Sequence, residues 1–403
     1  MNVRRSAAVL AATAVIGAAA PAAADSSPSP SPSTALPSGL YGTADPTYDG
    51  VWRQSLALLA QHTVGVRPAP KAVDWLVRQQ CANGAFAPFR ADAAKACDAK
   101  TMVDTNSTAA AVQALTALGG HDPAAGKAVG WLKSIQNTDG GWGYVPGGAS
   151  DTNSTSVVVG ALTAAGEKPA DVVQGGKSPY DALLGLVLPC EGKDGGAFAF
   201  QPDKKGRLAA NADATAAGVL GALGKGLVVE AGKKTDAKAS CTGSGRATPE
   251  RAAAGGVSYL VKSLAAKGHL TVAGAGGPDV GNTADAVVAL AAHGDTGRAA
   301  TSLDWLRKNS ADWAAQNGPA AYAQLIFAAH ATGTDPRDFG GRDLVKQLNA
   351  TGPAPQSGKA GKEQKADEKD DSPFGVWWYV GVCAVVGIGF GFLLSGRNRK
   401  QQP

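Results

Sequence analysis

A helix with no polar face has to be surrounded by protein, and this chain contains six segments that read that way. They fall at roughly 49–62, 104–118, 152–165, 211–223, 281–293 and 319–332. STAAAVQALTAL, STSVVVGALTAA, ADATAAGVLGAL and NTADAVVALAAH come from four of them, rich in Ala, Val and Leu and almost without charge. Six amphipathic segments alternate with these, at roughly 70–80, 125–136, 179–189, 249–266, 298–309 and 339–349. In KAVGWLKSIQ, for example, Val129, Trp131, Leu132 and Ile135 share one face while Lys127, Lys133 and Ser134 point away. No alternating strand pattern interrupts the series. Helix pairs of this kind can stack as an open solenoid or close into a ring. Closure is favoured, because the buried helices offer no polar concave face to solvent. The expectation is an all-α fold, an α6/α6 toroid over residues 48–350.

A second repeat follows the amphipathic segments: QCANGAF, QNTDGGW and CEGKDGGAF. Gly84, Gly140 and Gly196 are spaced 56 apart, and each stands two residues before an aromatic, Phe86, Trp142 or Phe198. Gln80 and Gln136 open the first two copies. Glycine ends the helix and the aromatic packs back on the preceding turn. This pattern resembles the QW motif of the squalene cyclase and protein prenyltransferase repeat superfamily. The resemblance covers most of 48–350 and implies the α/α toroid. It also implies that the glutamine braces a neighbouring outer helix. The same fold serves cobalamin-binding proteins such as intrinsic factor and transcobalamin, so the likeness implies an architecture and leaves the function open.

The pentamer DTNST occurs twice, at 104–108 and 151–155, each time opening a buried helix. Asp, Ser, Thr and Asn are preferred N-cap residues, since their side-chain oxygens accept from unpaired backbone N–H groups. NADAT (211–215) and GNTAD (281–285) read as degenerate copies. A cap needs one such residue and DTNST supplies five. In a toroid all inner-helix N-termini face one mouth, where surplus polar groups ring a cavity beside the positive helix ends. Asp104, Thr105, Asn106, Asp151, Thr152, Asn153, Asp213 and Asn282 are therefore candidate ligand contacts, with Trp142 and Tyr144 close by. Capping alone remains the competing account.

Catalytic readings find less support. The superfamily's terpene cyclases use an Asp-x-Asp-Asp acid, and no such triplet stands at any inner helix. Its prenyltransferases need a zinc site, but none of the five histidines pairs with a Cys at ligand spacing. No metal and no cofactor is expected. A glycan-processing enzyme would need two carboxylates across a cleft, which Asp104, Asp151 and Asp213 could supply. The favoured reading is non-catalytic capture of a ligand or partner at the mouth, with the enzyme question left open and a cobalamin-like or isoprenoid ligand as the superfamily's suggestion. An extracytoplasmic enzyme and a purely structural surface protein are the alternatives.

The ends of the chain set its expected address. Residues 1–24 have the charged start, apolar run and small-residue site of a secretory signal. A Pro/Ser-rich linker follows at 25–47. At the far end, residues 351–375 form a charged flexible linker, and 376–394 are long and apolar enough for one C-terminal transmembrane helix. Arg397, Arg399 and Lys400 in 395–403 mark a cytoplasmic tail. The expected protein is single-pass type I in the cell membrane, with its body extracytoplasmic. Its expected partners are the membrane, a small-molecule ligand or a membrane protein complex. Arg4, Arg5 and the three basic tail residues account for the whole net charge of +5, which leaves no electrostatic case for nucleic acid. Outside the cell, disulfides persist. Cys81–Cys97 is expected within one loop, and Cys190–Cys241 by elimination. The second bond requires the loop at about 225–248 to climb the side of the barrel, roughly 20 Å.

Overall fold

The computed structural model describes residues 36–230, 240–241, 248–272 and 274–357. The expected signal, transmembrane segment and cytoplasmic tail, with residues 25–35 and 358–375 of the expected linkers, lie outside the described residues. Among the described residues no helix is long and apolar enough to cross a membrane.

Helices supply nearly all the regular secondary structure of the described chain, with turns and loops between them. Six helices match the fully apolar segments: α1 (Gly50–Thr63), α3 (Thr105–Leu118), α5 (Thr152–Ala164), α7 (Ala212–Ala222), α9 (Val280–Ala292) and α11 (Ala311–Ala331). Six match the amphipathic ones: α2 (Pro70–Arg78), α4 (Asp122–Ser134), α6 (Pro179–Leu184), α8 (Pro249–Ala265), α10 (Thr296–Asn309) and α12 (Leu344–Asn349). Each odd helix packs against the next odd helix, and α11 packs back on α1. Each even helix packs on the odd helix before it. The chain ends seal the junction between last and first: Gly42 N–H donates to the Thr351 carbonyl (2.8 Å), and the Tyr41 hydroxyl reaches Gln61 and the Pro353 carbonyl. A two-residue ribbon, β1 (Leu270–Thr271) against β2 (Pro278–Asp279), precedes α9.

Several boundaries differ from the expected ones for local reasons. α6 stops at Leu184 instead of 189, because Val187 leaves the helix to bridge Phe198. α12 starts at Leu344 instead of 339, because Gly340 and Gly341 turn with φ of 65° and 76°. α4 begins three residues early, at Asp122, with a proline in its first turn. α11 is broken at Gly318 (φ 70°), and its inner part begins at Pro319.

The glycine-aromatic turns knit the outer helices together. Gln80 Nε2 donates to the Ala124 carbonyl (2.8 Å) in α4, and Gln136 Nε2 to the Val172 carbonyl (3.1 Å) before α6. Each glutamine also ties its own turn, at Gly84 and Gly140. Trp142 is fully buried, and its indole N–H donates to the Leu132 carbonyl (2.7 Å) on α4. Phe86 and Phe198 are likewise fully buried.

Cys81–Cys97 and Cys190–Cys241 are both bonded, with Cα separations of 5.5 and 5.3 Å. Two such bonds belong to an oxidising compartment. The stretch expected to climb the side, 231–239 and 242–247, lies outside the described residues of the loop after α7. The first residues of that loop turn inward across the C-terminal ends of the inner helices. There Leu227 N–H donates to Gln113 Oε1 (2.8 Å), and Val229 is buried. The Leu-Val-Val run explains the turn, since three consecutive apolar residues gain more inside than along an outer wall.

Candidate functional site

Three positions of the inner-helix pentamer, the first, second and fifth, have distinct structural tasks. The first is the cap: Asp104 Oδ1 accepts from Ser107 N–H (2.6 Å) and Asp151 Oδ1 from Ser154 N–H (2.7 Å). Asn211 and Asp279 cap α7 and α9 in the same way. The second position ties the helix to the following turn. Thr105 Oγ1 donates to the Gly143 carbonyl (2.7 Å), and Thr152 Oγ1 to the Ala199 carbonyl (2.6 Å). The fifth position ties it to the preceding turn. Thr108, Thr155, Thr215 and Thr283 accept from the backbone N–H of Phe86, Trp142, Phe198 and Leu270, at 2.9 to 3.1 Å.

These threonine bonds are buried, so losing one leaves a backbone N–H without a partner. Thr155→Val keeps the shape and removes the acceptor. The expected cost is about 1–3 kcal/mol in a denaturant melt. Thr63→Val, whose hydroxyl only returns to its own helix at the Leu59 carbonyl, is expected to cost less. Equal costs would remove the fifth position from the account.

The third position is left over from this scheme. Asn106, Asn153 and Asp213 occupy it in α3, α5 and α7, and all three line one cavity of about 190 Å3 between the inner helices. Asn153 Nδ2 donates to Asp213 Oδ2 (2.7 Å). The Oδ1 atoms of Asn106 and Asn153 are buried and accept no hydrogen bond. One to two turns deeper the wall becomes apolar, with Leu56, Val157, Leu220, Val288 and Phe327. Trp52 lines the α1 side. Residues seven apart on one helix face are about 10 Å apart along its axis, so Asn106 and Gln113 mark the depth of the chamber. Lys225, Gly226 and Leu227 line its far end.

The structure also brings in residues that the sequence reading did not select. Asp285 on α9 and Gln324 on α11 line the same cavity, and Gln324 Nε2 lies 3.1 and 3.3 Å from the two Asp285 oxygens. Burial, reinforced by the neighbouring Asp213 charge, lifts the Asp285 pKa from 3.8 to about 7, against the Gln324 bond that lowers it. Asp213 is also pushed up, by burial first, with the Asn153 bond opposing and the Asp279 charge adding. A signal for these residues was present: Gln113, Asp285 and Gln324 each stand as a polar residue inside an otherwise apolar helix.

The remaining candidates do not face the cavity. Asp104 and Asp151 are spent on capping, and burial raises the pKa of both. Thr105 and Thr152 are spent on the next turn. Trp142 is in the core between helices. Tyr144 contributes its carbonyl, which accepts from Thr105 N–H, while its ring is exposed outside the cavity. Asn282 is displaced by register. The cap of α9 is Asp279, so Asn282 takes the fourth position and bonds back to Asp279 Oδ2 (2.7 Å). Gly281 holds the third. Among the described residues no group of His, Cys, Asp and Glu side chains could hold a metal ion.

No family model matches the chain, and no curated protein matches it. Solved structures of similar architecture exist. A protein from Actinoplanes aligns at 14% identity over 74% of this chain and 94% of its own, with a TM-score of 0.49. A sugar epimerase from a ruminal bacterium aligns at 14% identity over 74% of this chain and 94% of its own, with a TM-score of 0.46. An ent-copalyl diphosphate synthase from Streptomyces platensis aligns at 15% identity over 70% of this chain, with a TM-score of 0.47, and this chain spans 50% of its length.

Proposed function

We propose that the protein is a membrane-anchored, extracytoplasmic α6/α6 toroid that binds a small ligand in its central cavity without transforming it. The ring reading is supported by the run of contacts among the odd helices and the return from α11 to α1. The anchor reading rests on the sequence of 376–394 and the tail beyond it.

One observation carries the ligand reading. The first, second and fifth positions of the repeated pentamer serve capping and turn attachment, while the third sends Asn106 and Asn153 to the cavity with their carbonyl oxygens unpaired. A buried acceptor without a partner costs free energy that a ligand donor would recover. The chamber is small beside the ~300–1,000 Å3 of drug-sized sites. That size argues against enclosing a corrinoid and for a compact molecule, polar at one end and apolar along its length.

The test uses full-length protein purified without ligand removal, followed by extraction and mass spectrometry. A small molecule is expected in near-stoichiometric amount with the wild type. It is expected to fall at least tenfold with Asn106→Leu/Asn153→Leu. Relief of two unpaired acceptors offsets loss of the Asn153 bond to Asp213, so the melting temperature of that variant should stay close to that of the wild type. The same yield of molecule from both proteins would remove the cavity from the account.

A second reading has its own observation. Asp285 keeps its proton near neutral pH beside a second carboxyl at the same cavity, an arrangement that acid catalysis also uses. Conversion of the extracted molecule by the wild type, abolished by Asp285→Asn, would establish that reading instead.

A further inference from the structure

The polar end of the cavity is rich in acceptors, and two of its amide donors, those of Gln324 and Asn153, are already engaged by carboxyls. Asp213 and Asp285 supply two carboxyls from adjacent helices, and Asn106 and Asn153 add two unpaired carbonyl oxygens. Ser156, only 4% exposed, lines the same cavity with a hydroxyl that has no partner. Two aromatic residues also line the cavity, Trp52 on the α1 side and Phe327 in the deeper apolar part.

The charged groups around this end are mostly of one sign. Asp104, Asp151 and Asp279 cap α3, α5 and α9. Arg53 on α1 is engaged by Asp49 (3.1 Å) and the Ala44 carbonyl (2.8 Å). On α11, Gln324 is neutral. His330, at that helix's C-terminal end, lies 3.3 Å from Glu230. Lys225 lines the cavity from the loop at the opposite end. An anionic headgroup, such as a phosphate or diphosphate, would meet carboxyls here and no cation.

We infer that the ligand of this cavity is an organic ammonium cation, its charged nitrogen held by Asp213, Asp285 and the Asn153 carbonyl, and its hydrocarbon part directed toward Leu220 and Phe327. The inference rests on the binding reading above and adds the ligand's charge. An ammonium donates to several acceptors at once and is drawn to aromatic faces. It also offsets the mutual repulsion of the two carboxylates. Binding then favours ionised Asp285, so the cation displaces the proton that Asp285 retains in the empty cavity.

The experiment is a calorimetric titration of the full-length protein in detergent with cyclohexylammonium and with cyclohexanol, its neutral isostere. An alkylammonium keeps its charge to about pH 10, as lysine does. At pH 8 the ammonium is expected to bind at least tenfold tighter than the alcohol. From pH 8 to pH 6 its affinity is expected to weaken about tenfold, following ionisation of a carboxyl near pH 7. The alcohol should bind equally at both. Asp213→Asn/Asp285→Asn should lose the preference and still bind the alcohol. Equal binding of both probes at pH 8, or tighter binding of the alcohol, would overturn the cation inference and leave the cavity reading standing. If neither probe binds, both fall.

Discussion

Gly140→Ala is expected to cost about 3–5 kcal/mol, enough to leave much of the protein unfolded at 37 °C. Gly140 has φ 87°, where a side chain alone costs about 1–2 kcal/mol. The larger part is contact. A Cβ there would overlap the Ser178 carbonyl, the N-cap of α6, and come within 2.9 Å of the Lys177 carbonyl carbon. Neither neighbour is a flexible side chain, so the turn would have to leave α6. That movement would pull on the Gln136 bonds and on Trp142 as well. Gly147→Ala is the matched comparison: φ is 75° there and nothing lies within 4 Å. It should cost only about 1–2 kcal/mol. The two variants, compared by urea melts, separate backbone strain from close packing. Equal losses would mean that the glycine-aromatic turn does not pack on the next outer helix as described.

Asp285→Asn is expected to stabilise the protein, and increasingly so with pH. The unfolded chain ionises this carboxyl near pH 3.8, whereas the folded chain retains its proton to about pH 7. Between those values the folded state binds more protons than the unfolded state, so this group's contribution to stability falls as pH rises. The full shift corresponds to about 4 kcal/mol, and solvent reaching the carboxyl through the cavity reduces it to the order of 2–4 kcal/mol. The variant should match the wild type near pH 4 and melt higher at pH 8. A natural sequence that keeps such a group keeps a destabilising residue, which fits a binding site better than a core. Parallel pH profiles for the two proteins, or a variant that melts lower at pH 8, would contradict this.

The alternation of buried and amphipathic segments made the helix series legible, because periodicity survives even where propensity is weak. The glycine-aromatic turns were legible too, since Gly84, Gly140 and Gly196 need positive φ and stand against the next outer helix. What composition alone did not separate was the division of labour inside DTNST. Asp, Thr and Asn are all polar and all cap helices, but only side-chain direction tells Thr105, which turns to Gly143, from Asn106, which turns to the cavity. The pentamer register at α9 differs from GNTAD (281–285) for a related reason. Asp279 and Asn282 are both good caps, and the short ribbon ending at Asp279 decides between them. Asp285 and Gln324 were overlooked because a mostly apolar segment reads as a buried helix, although a lone polar residue within it has to meet something. The inward loop at Lys225–Val229 could have been suspected from its Leu-Val-Val run.

The central claim is that the third pentamer position is spared from folding in order to hold a ligand. A crystal structure of the protein purified from its own cells, with no dialysis against competing molecules, tests it most directly. An ordered organic molecule is expected in the chamber, with a donor about 2.7–3.2 Å from the Oδ1 atoms of Asn106 and Asn153 and its apolar part against Leu220 and Phe327. A chamber that holds only water, with both asparagine oxygens satisfied by it, would contradict the claim and reduce DTNST to a device for starting and fastening helices.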